Sequence, residues 1–362
     1  MGPTDDTLRR LDDSLGEAAL DPSRWGAVLG HVSTLVGGDG AMLLQSHRRI
    51  PGVPCTPEVD ELVAAYFRYG WHLNDLRTRA VPRVMRGEVV TDLDILTTEE
   101  IDRAPYYNDL LRPHGYSWFA VAGFRAGAEH WAVSVQRKTR RGPFEAAGVR
   151  PLGGLMRRLG EAAALSEALG RAALDGTLGG LDQIAQAALA LDATGRVVGA
   201  NTRAEALFDA AFRVVGGSLR VADPRARDEI AALAEALQHR SSPPAGLVLV
   251  PRRDRRPLIL RALPLAEAAR SPFLNARALL LVTDLEADRR PDPGLLAQAF
   301  GLTAAEARLA ALLTGGASLE EAAGTLGIAV ETGRSQLKAV FAKTGTGRQG
   351  ALISLLGAPG LR

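Results

Sequence analysis

The residues best suited to chemistry lie near the end of the chain. From 330 to 348 the sequence carries Arg334, Lys338, Lys343 and Arg348 against Glu331 alone, a formal charge of +3, whereas the stretch from 294 to 362 holds six basic residues against four acidic. Positive charge is thus gathered on one short segment, where it can attract nucleic-acid phosphates. A second concentration is aromatic: 13 of the 18 Trp, Tyr and Phe residues fall within the first 150 positions. Among them Tyr66, Tyr69, Trp71, Tyr106, Tyr107, Trp118 and Phe119 are of the kind that lines an apolar pocket, with Asp75, Arg112 or His114 to orient a bound molecule. The same side chains would also serve as the core of their domain or as a dimer surface.

Covalent and metal chemistry find little support. The chain has no glycine loop followed by Lys-Ser or Lys-Thr, no His-Glu-x-x-His pair and no Gly-x-Ser-x-Gly turn. Histidines 31, 47, 72, 114, 130 and 239 stand singly. Cys55 is the only cysteine, which excludes internal disulfides, multi-cysteine zinc sites and iron–sulfur clusters. Its setting between prolines reads as a loop. No cofactor is implied, and the chain does not read as an enzyme. The basic stretches Arg137 to Arg141 and Pro251 to Pro257 read as exposed turns.

The elements that position the basic segment are legible from their caps. Thr303 and Glu306 form a capping box for a helix whose Leu309, Leu312 and Leu313 face inward, and Gly315-Gly316 stops it. Ser318 and Glu321 repeat the box for a second helix, with Ala322, Ala323 and Leu326 toward the core. A tight turn at Gly327-Ile328-Ala329 leads into a third helix from about Val330 to Thr344, with Leu337, Val340 and Phe341 inward. After Gly345 a fourth runs from about Arg348 to Leu356. Two short helices joined by a glycine-containing turn, the second basic on its outer face, form the geometry that lays a helix in a DNA major groove.

This pattern closely resembles the LuxR-type helix-turn-helix regulators. Leu302-Thr303, Glu306, Gly316, Ser318, Ala323, Leu326-Gly327-Ile328, Thr332, Arg334, Leu337-Lys338, Lys343-Thr344-Gly345 and Arg348 stand where that family's pattern expects them. The resemblance implies that Arg334, Ser335 and Lys338 face base edges, that Thr332, Lys343 and Arg348 hold phosphates, and that the fourth helix is a dimer contact. Ala322, Ala329, Gly333 and Gln336 depart from the pattern, where a larger aliphatic, a capping Ser or Thr, a valine and a histidine are usual. Gly333 matters most: it removes a buried anchor and about 1 kcal/mol of helix propensity, so Gly333→Val is expected to stabilise the head.

Ahead of the head, "ALALDATGRVVGANTRAEALF" reads as a strand, a turn at Asp192 to Gly195, a paired strand, and a helix from Asn201 through Phe208. Apolar runs follow at 246–250, 258–263 and 278–283. This order resembles a PAS domain over about 178–285. From 145 to about 173 a three-and-four repeat at Leu152, Leu155, Leu159, Ala163, Ser166 and Leu169 suits either a dimerising connector helix or an amphipathic helix closing the first domain. Before it come two helices, the second launched by Asp21-Pro22, then strands at 41–45, 119–123 and 131–136 around a long insert from 57 to 117. That order suggests an α+β, GAF-like sensor.

The expected fold is therefore multidomain: a GAF-like α+β sensor at 1–145, a connector helix at 146–177, a PAS-like domain at 178–285, a linker at 286–293 and an all-α, four-helix LuxR-type domain at 294–362. A length of 362 residues accommodates two or three domains. With 46% apolar and 23% charged residues, and no apolar run long enough to cross a bilayer, the sequence reads as globular and cytoplasmic, without a membrane partner. The expected function is a bacterial DNA-binding transcription regulator, probed against one alternative, a protein-binding anti-activator or scaffold with a degenerate head. Expected partners are double-stranded DNA, a second copy of the chain, a small apolar ligand and RNA polymerase.

Overall fold

The computed structural model describes residues 5–45, 52–127, 129–238, 246–265, 271–286 and 290–357. His47, His239 and part of the expected linker lie outside them. Contacts divide the chain into two compact units, 1–283 and 284–362.

The first unit opens with α1 (Asp5–Leu20) and α2 (Trp25–Leu35). Asp21 caps the 3-10 turn between them, its carboxylate accepting from the Ser23 N–H. Then come β1 (Gly40–Gln45), α3 (Asp60–Arg68), α4 (Val81–Val84), β2 (Val90–Thr91), α5 (Thr98–Arg103), a π-helical turn at Tyr106–Leu111, and the hairpin β3 (Tyr116–Ala126) to β4 (Glu129–Lys138). The antiparallel sheet has the order β1-β4-β3-β2. Strand alternation splits its burial. Trp131, Val133 and Val135 of β4 join a core with α1 and α2, whereas Ser134 and Gln136 turn to the face covered by the 57–117 insert.

A single helix, α6 (Ala146–Gln183), follows. Val149, Leu152, Leu155, Leu159, Ala163, Ser166, Gly170, Leu174 and Leu178 form its buried stripe. The first half of that stripe packs with the first sheet's core, and Leu174 and Leu178 pack with a second. The repeat that suits a dimerising seam is thus buried within its own unit, except for Leu169, which is exposed. The helix also extends past the expected end at 177. Its glycines cost propensity but permit close approach: a Cβ on Gly160 would stand 2.9 Å from the Arg125 carbonyl oxygen, and one on Gly170 2.8 Å from the Ser271 Cβ.

Beyond α6 lie β5 (Ala187–Asp192), β6 (Val197–Ala200), α7 (Thr202–Glu205), β7 (Phe212–Val215), β8 (Ser218–Val221), α8 (Pro224–Gln238), β9 (Leu247–Arg252), β10 (Arg255–Pro264) and β11 (Ala276–Asp284). The second sheet has the order β6-β5-β11-β10-β9, and β7 and β8 make a separate hairpin. Two differences from the sequence reading stand out here. The helix from Asn201 is only one turn, because the Asp209 carboxylate accepts the N–H groups of Ala211 and Phe212 and draws the chain into β7. The β7–β8 hairpin was not expected. It turns at Gly216-Gly217, both at positive φ.

The second unit contains α9 (Pro293–Phe300), α10 (Ala304–Thr314), α11 (Leu319–Leu326), α12 (Val330–Thr344) and α13 (Gln349–Leu356) around one apolar core. The four helices expected here are joined by α9, which starts at the last residue of the expected linker and fills the opening of the expected 294–362 domain. Asp292 caps it, accepting from the Leu295 N–H, and Pro293 fills its first position.

Candidate functional site

Both expected capping boxes form. The Thr303 N–H donates to Glu306 at 2.7 Å and the Ser318 N–H to Glu321 at 2.8 Å, each answered by the N–H of the glutamate to the hydroxyl. Gly327, at φ +68°, ends α11 in the left-handed region, and two residues later α12 begins. Ala329 gives α12 no side-chain cap. Leu337 and Val340 anchor α12 in the core, which leaves Thr332, Arg334, Ser335 and Lys338 exposed within its first nine residues.

The six expected DNA contacts do not stand alike. Arg334 is paired with Glu331 at 2.6 Å, both exposed, and the Ser335 hydroxyl donates to the Glu331 carbonyl. Thr332 and Lys338 project beside them. Lys343 is instead engaged with Glu306 of the first capping box, at 2.7 Å, and this hydrogen bond is the main cause holding the Glu306 carboxyl below its usual range. Arg348 stands exposed at the start of α13.

Gly333 requires a correction. The opening expected beside it is already filled: a Cβ there would stand 3.3 Å from Leu319 Cδ1 and 3.7 Å from the Ala323 Cβ. Ala322 and Ala323 are fully buried, so small residues on α11 and the glycine on α12 let the two helices approach closely. Gln336, the other departure on α12, leaves its Oε1 buried without a partner.

In the first unit a cavity lies between the sheet and the insert. Its volume is about 60 Å³, taken as space for the centre of a water molecule, within about 690 Å³ of unfilled space that includes its mouth. That holds a few waters or one small molecule. Leu62, Val63, Leu110, Val121 and other apolar side chains make most of its wall. Of the six aromatic candidates, Tyr66 and Tyr106 line it. Tyr69 is 69% exposed, at the end of α3 where Gly70 turns the chain away. Trp71 packs edge-on against Tyr106 from behind, Tyr107 is fully buried beneath the wall, and Trp118 is half-buried between two cores. Phe119 and Asp75 also line the cavity, whereas Arg112 pairs with Asp102 and His114 bonds the Leu110 carbonyl outside it.

The polar floor comes from residues that sequence reasoning did not select. Arg77, 6% exposed, pairs with Asp92 at 3.0 Å and donates to Gln136 at 2.9 Å and to the Ser117 carbonyl at 3.1 Å. Its guanidinium lies 4.4 Å from the centre of the Phe119 ring. Asp92 also accepts from the Tyr107 hydroxyl and the Phe119 N–H. Burial opposes the Arg77 charge, but Asp92, Tyr107 and Tyr106 outweigh it and move its pKa up. Burial raises the Asp92 carboxyl more than Arg77 and its hydrogen bonds lower it. Tyr66 donates to Asp75 at 2.9 Å, and Asp75 accepts the Arg77 N–H at 2.9 Å. One signal was available: the period-two alternation of β4 sets Ser134 and Gln136 on the face opposite Val133 and Val135.

No protein-family model matches the chain, and no curated protein matches it. Solved structures give partial likenesses. The LBD domain of VqsR from Pseudomonas aeruginosa is 18% identical, with 44% of this chain and 95% of that one covered at a TM-score of 0.35. The VqmA–ligand–DNA complex of Vibrio cholera is 20% identical over 50% of this chain and 92% of that one, TM-score 0.20. The E. coli DhaR(N)–DhaL complex is 13% identical over 77% and 88%, TM-score 0.24. At such scores no common fold is established. Among the described residues, no single helix is long and apolar enough to cross a membrane, and no three His, Cys, Asp or Glu gather at one point.

Proposed function

We propose that the chain is a DNA-binding transcription regulator of LuxR type, acting as a homodimer whose first unit responds to a small molecule. The observation that carries this reading is α12: a helix anchored by Leu337 and Val340, entered from α11 through the left-handed Gly327, and exposing Thr332, Arg334, Ser335 and Lys338 together. Such a face suits the major groove, with Arg334, Ser335 and Lys338 at base edges and Thr332 and Arg348 at phosphates. Lys343 would reach a phosphate by leaving Glu306. The filled position beside Gly333 supports a working head over a degenerate one. The GAF-like and PAS-like names for the two sheet-bearing segments belong to the same proposal.

An electrophoretic shift assay with the protein's own upstream DNA over a salt series tests it. Specific retardation whose affinity falls steeply with salt is expected. Arg334→Ala and Lys338→Ala should each lose about 1–3 kcal/mol at the preferred site and relax its sequence preference. Absence of retardation at low salt rejects the reading.

A further inference from the structure

The cavity of the first unit holds an unspent hydrogen-bond donor. Tyr106 lines it from the π-helical turn and is 6% exposed, yet its hydroxyl has no hydrogen-bond partner among the described residues. Edge contacts with Tyr66, Trp71 and Tyr107 fix its ring. Its oxygen is within reach of water, and a guest that takes the place of that water must accept the same bond or forfeit it. Burial and then the Asp75 charge push its pKa well above the ordinary phenol value, so it is a donor at neutral pH. Around it the polar groups are engaged with one another. The Tyr66 hydroxyl is on Asp75, the two Asp75 oxygens take Tyr66 and the Arg77 N–H, and Gln136 joins Arg77 to Ser134.

Charge at this wall is of both signs. Arg77 and Asp75 both line the cavity, with Asp92 behind Arg77. An anion entering meets the two carboxylates, and a cation meets the guanidinium, while the counter-charges already have partners. A neutral guest meets neither penalty. The rest of the wall is mainly aliphatic and aromatic and asks only for apolar surface.

Resting on the reading of the first unit as a small-molecule sensor, we propose that the cavity selects a compact, uncharged molecule, apolar but for one acceptor atom, and that Tyr106 donates the hydrogen bond that selects it. Three probes of similar shape separate the requirements: ethylbenzene has no acceptor, acetophenone has one, and benzoate is an anion. Each is titrated into the full chain with tryptophan fluorescence as the signal, Trp71 lying against Tyr106. Acetophenone should bind about tenfold more tightly than ethylbenzene, and benzoate should not bind. Tyr106→Phe should keep the ethylbenzene affinity, which shows an intact cavity, and erase the acetophenone advantage. Tyr69→Phe should change neither.

An acetophenone advantage that survives in Tyr106→Phe overturns the role of Tyr106 while leaving the sensor reading in place. Benzoate binding as tightly as acetophenone overturns the requirement for a neutral guest. Failure of all three probes to bind saturably overturns the sensor reading itself, and this inference with it.

Discussion

At the scale of single residues, two cations show how differently charge is used in the two units. Arg77 sits under the cavity with Asp92, so removing it leaves a carboxylate buried without its counter-ion. Arg77→Met should cost about 3–5 kcal/mol in urea unfolding, and Asp92→Asn in the same background should recover part of that. A loss below about 1 kcal/mol would mean that water reaches Asp92 in place of the guanidinium. Lys343 is half-exposed and acts on Glu306, whose pKa it lowers. A carboxyl lowered on folding adds stability above its unfolded pKa, and that stability disappears as pH falls through the folded value. Lys343→Ala should therefore lower the unfolding midpoint of residues 284–362 at neutral pH and leave it unchanged near about pH 2. An equal shift at both values would show a packing effect. The Lys343 partner was not legible beforehand because it lies 37 residues away, brought near only when α10 and α12 pack.

At the scale of elements, legibility followed local signals. The capping boxes at Thr303 and Ser318 and the glycines after α10 and α11 fixed helix ends almost to the residue, because caps act within four residues. Where a local signal was overridden by charge composition, as at Asp292-Pro293, a whole helix was missed. Gly333 shows the opposite error, a correct local penalty with the wrong packing consequence. With Leu319 Cδ1 at 3.3 Å, a single methyl needs only a small shift of a half-buried side chain, whereas the two further methyls of valine are added to a contact that is already tight. Gly333→Ala should raise the midpoint of the second unit modestly, by up to about 1 kcal/mol of propensity. Gly333→Val should fall below the alanine variant by about 1–3 kcal/mol through overpacking. Valine matching or exceeding alanine in thermal unfolding would restore the original picture of an empty site.

At the scale of the whole molecule, the two units have separate cores, so heating should give two transitions. Thr303→Ala removes a cap and should cost the second unit about 1 kcal/mol without moving the first transition. If both transitions move together, the units unfold as one. The crowding of aromatics before residue 150 falls in the part of the chain that holds the cavity, but only Tyr66, Tyr106 and Phe119 line it, and aliphatic side chains make most of the wall. It could not show which rings face inward, because that depends on the insert's short helices and the π-helical turn, whose pattern is set by tertiary packing.

The way α6 divides its buried face between two sheets bears on how the chain comes off the ribosome. About 57 Å of helix is laid down at the standard rise per residue. Its first half finds β3 and β4 already made, and can dock at once. Leu174 and Leu178 are covered in two steps: Ala188 and Ala190 of β5 follow within about twenty residues, whereas Leu274, Ala276 and Leu279 are synthesised about a hundred residues later. At about 5–20 residues per second, these two leucines stay only partly covered for about 5–20 seconds on every nascent chain. That interval is a window in which a chaperone, or another nascent copy, can reach the lower half of the helix before its own sheet is complete.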